Sequence, residues 1–119
     1  INLDRIRRAS ILFFSHVDTG VNAWCLSLLG VTQTGQLISS SWEVSAGKID
    51  VHGPLLFAGQ WNHVAVSYSA ANGLRLYVNG TLYNASSPFR YAGPGLDNSL
   101  LIGSDLNRNS CSSNNLVGG

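Results

Sequence analysis

Residues 60–83, QWNHVAVSYSAANGLRLYVNGTLY, constrain the fold more than any other stretch of this chain. Val64, Val66 and Tyr68 alternate with Ala65 and Ser67, the period of two that a half-buried strand requires. Ala71-Asn72-Gly73 then turns the chain, and Leu74, Leu76 and Val78 alternate with Arg75 and Tyr77 in a second strand. Asn79-Gly80 follows, a pair suited to a two-residue type I′ turn because both positions tolerate a positive φ. Thr81-Leu82-Tyr83 starts the return strand, so the stretch predicts an antiparallel β-meander. Nothing in it reads as a nucleophile, an acid/base pair or a metal cage, which makes it scaffold.

The flanking sequence repeats the pattern. Residues 9–16, ASILFFSH, have the character of a buried strand, and 23–31, AWCLSLLGV, form another. Strict alternation there puts Trp24, Leu26 and Leu28 on one face and Cys25, Ser27 and Leu29 on the other. Residues 33–36 make a hairpin turn, 37–44 return as a strand, and 46–48 turn again. Ile49 and Val51 suggest a short strand interrupted at Gly53-Pro54, with a separate apolar piece at 55–57. Residues 85–94 read as loop, 99–102 as a strand ending at Gly103, and 104–115 as polar and irregular. No segment has helical periodicity. Short strands about every ten residues indicate an all-β sandwich or barrel.

The 119 residues fit a single domain, 1–119. Only 11% are charged, less than half the usual ~25% share, so Ser, Asn, Thr and Gly must cover the surface, as in many secreted β-proteins. A net charge of +1 supplies no field to recruit nucleic acid. The one basic cluster, Arg5, Arg7 and Arg8, has Asp4 beside it and no interleaved aromatics, and reads as a solvated edge. No run approaches the ~18 apolar residues needed to insert in a membrane. The start INLDRIRR has no signal-peptide character and no initiator Met, so it reads as a mature or excised piece.

Cys25 and Cys111 lie far apart, without the spacing of a zinc motif. In an oxidising compartment they can close a long loop; the alternative is two buried free thiols. Asn79-Gly80-Thr81 and Asn84-Ala85-Ser86 are N-glycosylation sequons, and Asn109-Ser110-Cys111 is a weaker third. Asn79 has a second reading as the first residue of a turn.

Trp61-Asn62-His63-Val64, Leu74-Arg75-Leu76-Tyr77-Val78-Asn79-Gly80 and Leu100-Leu101-Ile102-Gly103 resemble the core motifs of the laminin-G-like, concanavalin A-like lectin/glucanase superfamily. AWCLSLLGVTQTGQL resembles the pair of strands before that core. The resemblance covers most of the chain and implies a jelly-roll β-sandwich. It also implies pairing of Cys25 with Cys111, since some members carry a Cys in a Trp-Cys-Leu strand and another after the Ile-Gly strand. The family's opening apolar strand and its closing strand have no counterpart between Ile1 and Gly119. Either the sequence is an incomplete read of a longer protein, or their places are open sheet edges, fit to pair with neighbouring domains or other copies of the chain.

The superfamily's glucanases use paired carboxylates on one strand. This chain has one Glu, Glu43, and isolated Asp residues, so no catalytic residue is assigned. Glu43 reads as an exposed strand residue, and His63 as a half-buried strand histidine bonded to its neighbour strand. His16 and His52 have no partner at metal spacing. No cofactor is required, but the resemblance allows Ca²⁺ at the sandwich rim, with Asp18 and Asp105 as ligands and Asn107 nearby. Trp42, Tyr83 and Tyr91, with Tyr77, are the candidate glycan-binding aromatics, whereas Trp24 and Trp61 read as core. The function these residues imply is a non-enzymatic, extracellular structural or adhesive module that assembles into a filament by exchanging strands between subunits. The alternative is a carbohydrate- or protein-binding module of a larger secreted or cell-surface protein.

Overall fold

A computed structural model describes residues 1–16 and 24–104, and in them eight strands follow one another without a helix. They are β1 (Ala9–Ser15), β2 (Cys25–Val31), β3 (Gln36–Glu43), β4 (Gly47–Leu55), β5 (Val64–Ser69), β6 (Gly73–Val78), β7 (Thr81–Ala85) and β8 (Ser99–Ser104). Two antiparallel sheets result, one ordered β4-β3-β2-β1-β8 and the other β5-β6-β7. The expected β-sandwich is present, and the 60–83 meander forms the whole of its smaller sheet.

The turns follow from residue chemistry. Asn79 and Gly80 have φ values of 51° and 82°, the pair of positive angles that type I′ demands. At the other end of β6, Gly73 has φ 71°, and a Cβ there would lie 2.4 Å from the Ser87 carbonyl oxygen. Only glycine serves at that position.

Between the sheets, Leu29, Val31, Leu37 and Val51 meet Leu74 and Leu76, with Val64, Val66 and Val78 packed alongside. Each buried leucine contributes about 1.5–3 kcal/mol relative to exposure. The outer face of the larger sheet holds a second cluster, Phe13, Cys25 and Ile38, against Trp42 and Leu101. Ser10 and Ser27 are buried and share a hydroxyl hydrogen bond of 2.6 Å.

Two expectations are corrected. Strict alternation assigns Leu29 to the face of Cys25 and Ser27, yet Leu29 belongs to the inner core. The β1–β2 register shifts on both sides of the Leu12–Leu29 pair. This irregularity lets Leu28 and Leu29 both face inward and resets the alternation beyond them. Second, Gly53-Pro54 does not end the strand: β4 runs from Gly47 to Leu55, and the interruption is only a register shift between the Ile38–His52 and Gln36–Leu55 pairs. β4 is an edge strand, where proline's missing N–H costs least.

The sheets differ in width. Cross-sheet contacts concentrate on β4 against β6 and β7 and on β3 against β6. On that side Asn84 of β7 donates to the His52 carbonyl of β4 at 3.0 Å, closing the sandwich. On the other side β8 projects past the smaller sheet. Leu100 and Ile102 pair with Phe14 and Leu12 of β1, and so share their inner face, yet are 49% and 76% exposed.

Candidate functional site

The open side is bounded above by β5. The His63 carbonyl accepts the Asn79 N–H at 2.8 Å, so the backbone groups of alternate residues from 63 onward turn toward β6. Those of Val64, Val66 and Tyr68 turn the other way, and among the described residues no strand pairs with β5 there. Just before β5 that same edge is engaged. The Ile1 ammonium donates to the Asn62 carbonyl at 2.6 Å, and Asn62 N–H donates back to Ile1 at 2.8 Å. Gly59 N–H donates to Leu3, and Asn2 bridges Trp61 in antiparallel sense. Ile1 and Leu3 consequently point inward and pack on the main core.

Beneath the free part of β5 lies a cavity of about 220 Å³. Its walls are Phe14, Leu26 and Leu28 from the larger sheet, Tyr68 and Leu74 from the smaller, and Tyr91, with Ser41 adding one hydroxyl. The Tyr68 hydroxyl donates to the Phe89 carbonyl at 2.8 Å and accepts from the Tyr91 N–H at 2.9 Å. With that hydroxyl engaged, Tyr68 offers the cavity its ring. Tyr91 lies edge-on to Trp24, with centroids 6.5 Å apart, and burial raises its phenol pKa above the usual value. At the opposite end a groove of about 310 Å³ runs between Ile1, Leu3, Arg5 and Arg7 and the strand residues Ile11 and Ile102. Cavity, exposed ledge and groove form the trough of the open side, apolar at the cavity and lined by Asp4, Arg5 and Arg7 at the groove.

The sequence-derived residues fall elsewhere or at its rim. Cys25 is buried at the start of β2; Cys111 lies outside the described residues, as do Asp18, Asp105, Asn107 and Asn109. Asn79 is exposed at its turn, its side-chain oxygen accepting the His63 N–H at 2.9 Å. Asn84 is exposed on β7, tied to β4 as described. Trp42 packs on the outer cluster and donates its indole N–H to the Cys25 carbonyl at 3.1 Å. Tyr91 lines the inner cavity, and Tyr83 sits exposed in the other sheet. These three aromatics therefore do not share a concave face.

Trp61 corrects a further expectation: it is 81% exposed rather than core. Its neighbour Asn62 shares the inward side with Val64 and Val66, which turns Trp61 out. His63 is exposed too, and bonds the neighbouring strand through its backbone. Glu43 ends β3 with a structural task. Its carboxylate accepts the Ser45 N–H at 3.0 Å, the Ser45 hydroxyl and the Ala46 N–H, capping the 44–46 turn. Chiefly the Ala46 bond, then the Ser45 bonds, hold its pKa below the usual carboxylate value. Among the described residues no three His, Cys, Asp or Glu side chains come together. Sequence reasoning did not single out Phe14, Leu26, Tyr68, Leu100 or Ile102. The run Leu100-Leu101-Ile102 held the signal, being apolar on both faces of an edge strand.

Residues 1–116 match the family model of the concanavalin A-like lectin/glucanases superfamily. No curated protein and no solved structure matches the chain. Laminin-G-like and concanavalin A-like domains of this kind are generally carbohydrate- or protein-binding modules, commonly extracellular. Among the described residues no helix is long and apolar enough to cross a membrane.

Proposed function

Because the chain belongs to the concanavalin A-like lectin/glucanase superfamily, we propose that it is a binding module whose partners are polypeptides, engaged along the open side of the sandwich. The reading is non-enzymatic and extracellular, with a structural or adhesive role in which copies of the chain join through their sheet edges. The observation that carries it is the exposure of Leu100 and Ile102 beside an apolar cavity and a strand edge that no other strand among the described residues pairs. Exposed apolar side chains along a sheet edge are what a β-sandwich presents to another chain. Repeated head to tail, such a contact gives an open filament.

Secretion accompanies this reading, with a Cys25–Cys111 disulfide, N-glycans at Asn79 and Asn84, and calcium held by Asp18 and Asp105. Intact mass before and after glycosidase treatment reads the glycans. A melting temperature that does not respond to calcium and chelator removes the ion from the proposal. Sedimentation and negative-stain microscopy across a concentration series test the assembly. Oligomers or fibres are expected, weakened by Ile102→Lys, which places a charge on the ledge. A monomer at every concentration up to the solubility limit overturns self-assembly. Glycan recognition remains the alternative; it predicts binding on a glycan array that is lost with Trp42→Ala, Tyr83→Ala or Tyr91→Ala.

A further inference from the structure

We infer that the cavity between the sheets is a binding site for a small uncharged molecule, one aromatic ring in size, whose single hydroxyl or carbonyl group meets Ser41. The inference goes beyond the polypeptide-binding reading and does not depend on it.

The deciding group is Ser41, the last of three consecutive serines on β3 that are 0%, 0% and 3% exposed. The Ser39 hydroxyl donates to the Leu28 carbonyl at 2.8 Å, and the Ser40 hydroxyl donates to Asp50 at 2.6 Å. Among the described residues the Ser41 hydroxyl has no such partner. Every fully enclosed side-chain polar atom among them does have one, so the Ser41 oxygen is not sealed in protein. What it reaches is the cavity, which Ser41 lines. Strand parity agrees. Ser41 shares the inner face of β3 with Leu37 and pairs with Ile49 of β4, and both of those pack in the main core.

The other walls are aliphatic and aromatic. Phe14, Leu26 and Leu28 stand on one side, with Leu74 and the Tyr68 ring facing them. The Tyr68 hydroxyl is already engaged by Phe89 and Tyr91. Residues 89–92 form the end wall and are tied to β3 as well as to Tyr68. Val44 N–H donates to the Arg90 carbonyl at 3.2 Å, and Ala92 N–H to the Trp42 carbonyl at 2.9 Å. The space so bounded measures about 220 Å³. An engineered apolar cavity of about 150 Å³ takes up benzene, so a ring with one or two substituents fits here.

Volume and hydroxyl together select the occupant. An aliphatic side chain, from this protein or another, would fill the space but seal Ser41 without a partner, at a cost of about 1–3 kcal/mol. Water would satisfy the hydroxyl, yet apolar walls give it too few further partners. A charged group would lose its hydration for one neutral hydrogen bond. A neutral ring with one polar substituent meets both demands, since a serine hydroxyl donates to a carbonyl and accepts from a hydroxyl.

The probes are p-cresol and toluene, which differ only by a hydroxyl. Each is titrated into the full chain and followed by amide NMR. Saturable shifts at Leu28, Ser41, Tyr68 and Tyr91 are expected with both, and p-cresol should bind about three- to tenfold more tightly. Ser41→Ala should remove that advantage and leave toluene within about twofold of its wild-type affinity. Leu28→Trp, which fills the cavity, should abolish binding of both. Melts check that each variant folds, and Ser41→Ala decides the matter by itself where the tryptophan variant does not fold. The absence of saturable shifts with either probe overturns the inference. So does toluene binding as tightly as p-cresol, a p-cresol advantage that survives Ser41→Ala, or binding that persists in folded Leu28→Trp. Sedimentation of the same samples keeps the two readings apart. A monomer that binds p-cresol refutes self-assembly alone, and a self-associating chain that ignores both probes refutes the cavity site alone.

Discussion

Gly53 of β4 faces Leu76 of β6 so closely that a Cβ on the glycine would stand 2.9 Å from the leucine Cδ2. On its other side the same Cβ would meet Leu37 Cβ at 3.0 Å. Leu37 and Leu76 are both fully buried, and the Leu37 Cβ is fixed to its backbone. The two sheets approach here because a side chain is missing.

Gly53→Ala should therefore cost about 1–3 kcal/mol as an overpacked core, although alanine suits a strand at least as well as glycine does. The melt should fall by several degrees. Gly53→Val should cost more, despite valine's strand preference. Pairing Gly53→Ala with Leu76→Val, which shortens the facing side chain, should return part of the loss. An alanine variant that melts with the wild type would show that the sheets can part at no cost.

Glycine's role here separates what the sequence shows from what it hides. Period and turn chemistry are local, so the β5–β6–β7 meander and its Asn79-Gly80 turn are legible residue by residue. Gly53-Pro54 reads locally as a break. What decides its conformation is non-local: Leu76, reached across the sandwich, and an edge position that excuses Pro54. Leu29 misleads in a related way, since alternation holds only until a bulge resets it. The trough was harder still. Tyr68 and Leu100 look like ordinary strand residues, and their exposure arises because one sheet has more strands than the other. Trp61 shows the converse, an indole whose sequence setting suggests core and whose strand parity faces it outward.

Glu43 predicts a pH dependence. Its carboxylate pKa is lowered in the folded chain, first by the Ala46 N–H and then by the Ser45 groups. A depressed pKa means the folded state favours the charged form. The contribution is present above the unfolded-state pKa, near 4.5, and is lost as pH falls through the lower folded value. Glu43→Gln should thus melt below the wild type at neutral pH, and the gap should narrow steadily in acid below that value. Because the group is solvent-facing, the gap should be small and the change confined to the β3–β4 turn. A gap that widens on acidification would contradict the capping role, as would one that ignores pH.

Cys25 supplies the last prediction, at the point where β2 begins. The residue is 4% exposed, and its carbonyl receives the Trp42 indole, so this end of the strand is pinned to β3 before any covalent bond is considered. The proposed bridge to Cys111 adds a constraint on the unfolded chain rather than on this local packing. Closing so long a loop should stabilise the fold by about 2–5 kcal/mol. Intact mass under non-reducing conditions should show the loss of two hydrogens relative to the reduced chain. Reductant should lower the melt substantially while leaving the β-sheet circular dichroism below the transition unchanged. The double variant Cys25→Ala, Cys111→Ala should melt near the reduced wild type and stop responding to reductant. If the wild type melts identically with and without reductant, the two cysteines do not pair, and Cys25 is a buried thiol packed against Phe13 and Ile38.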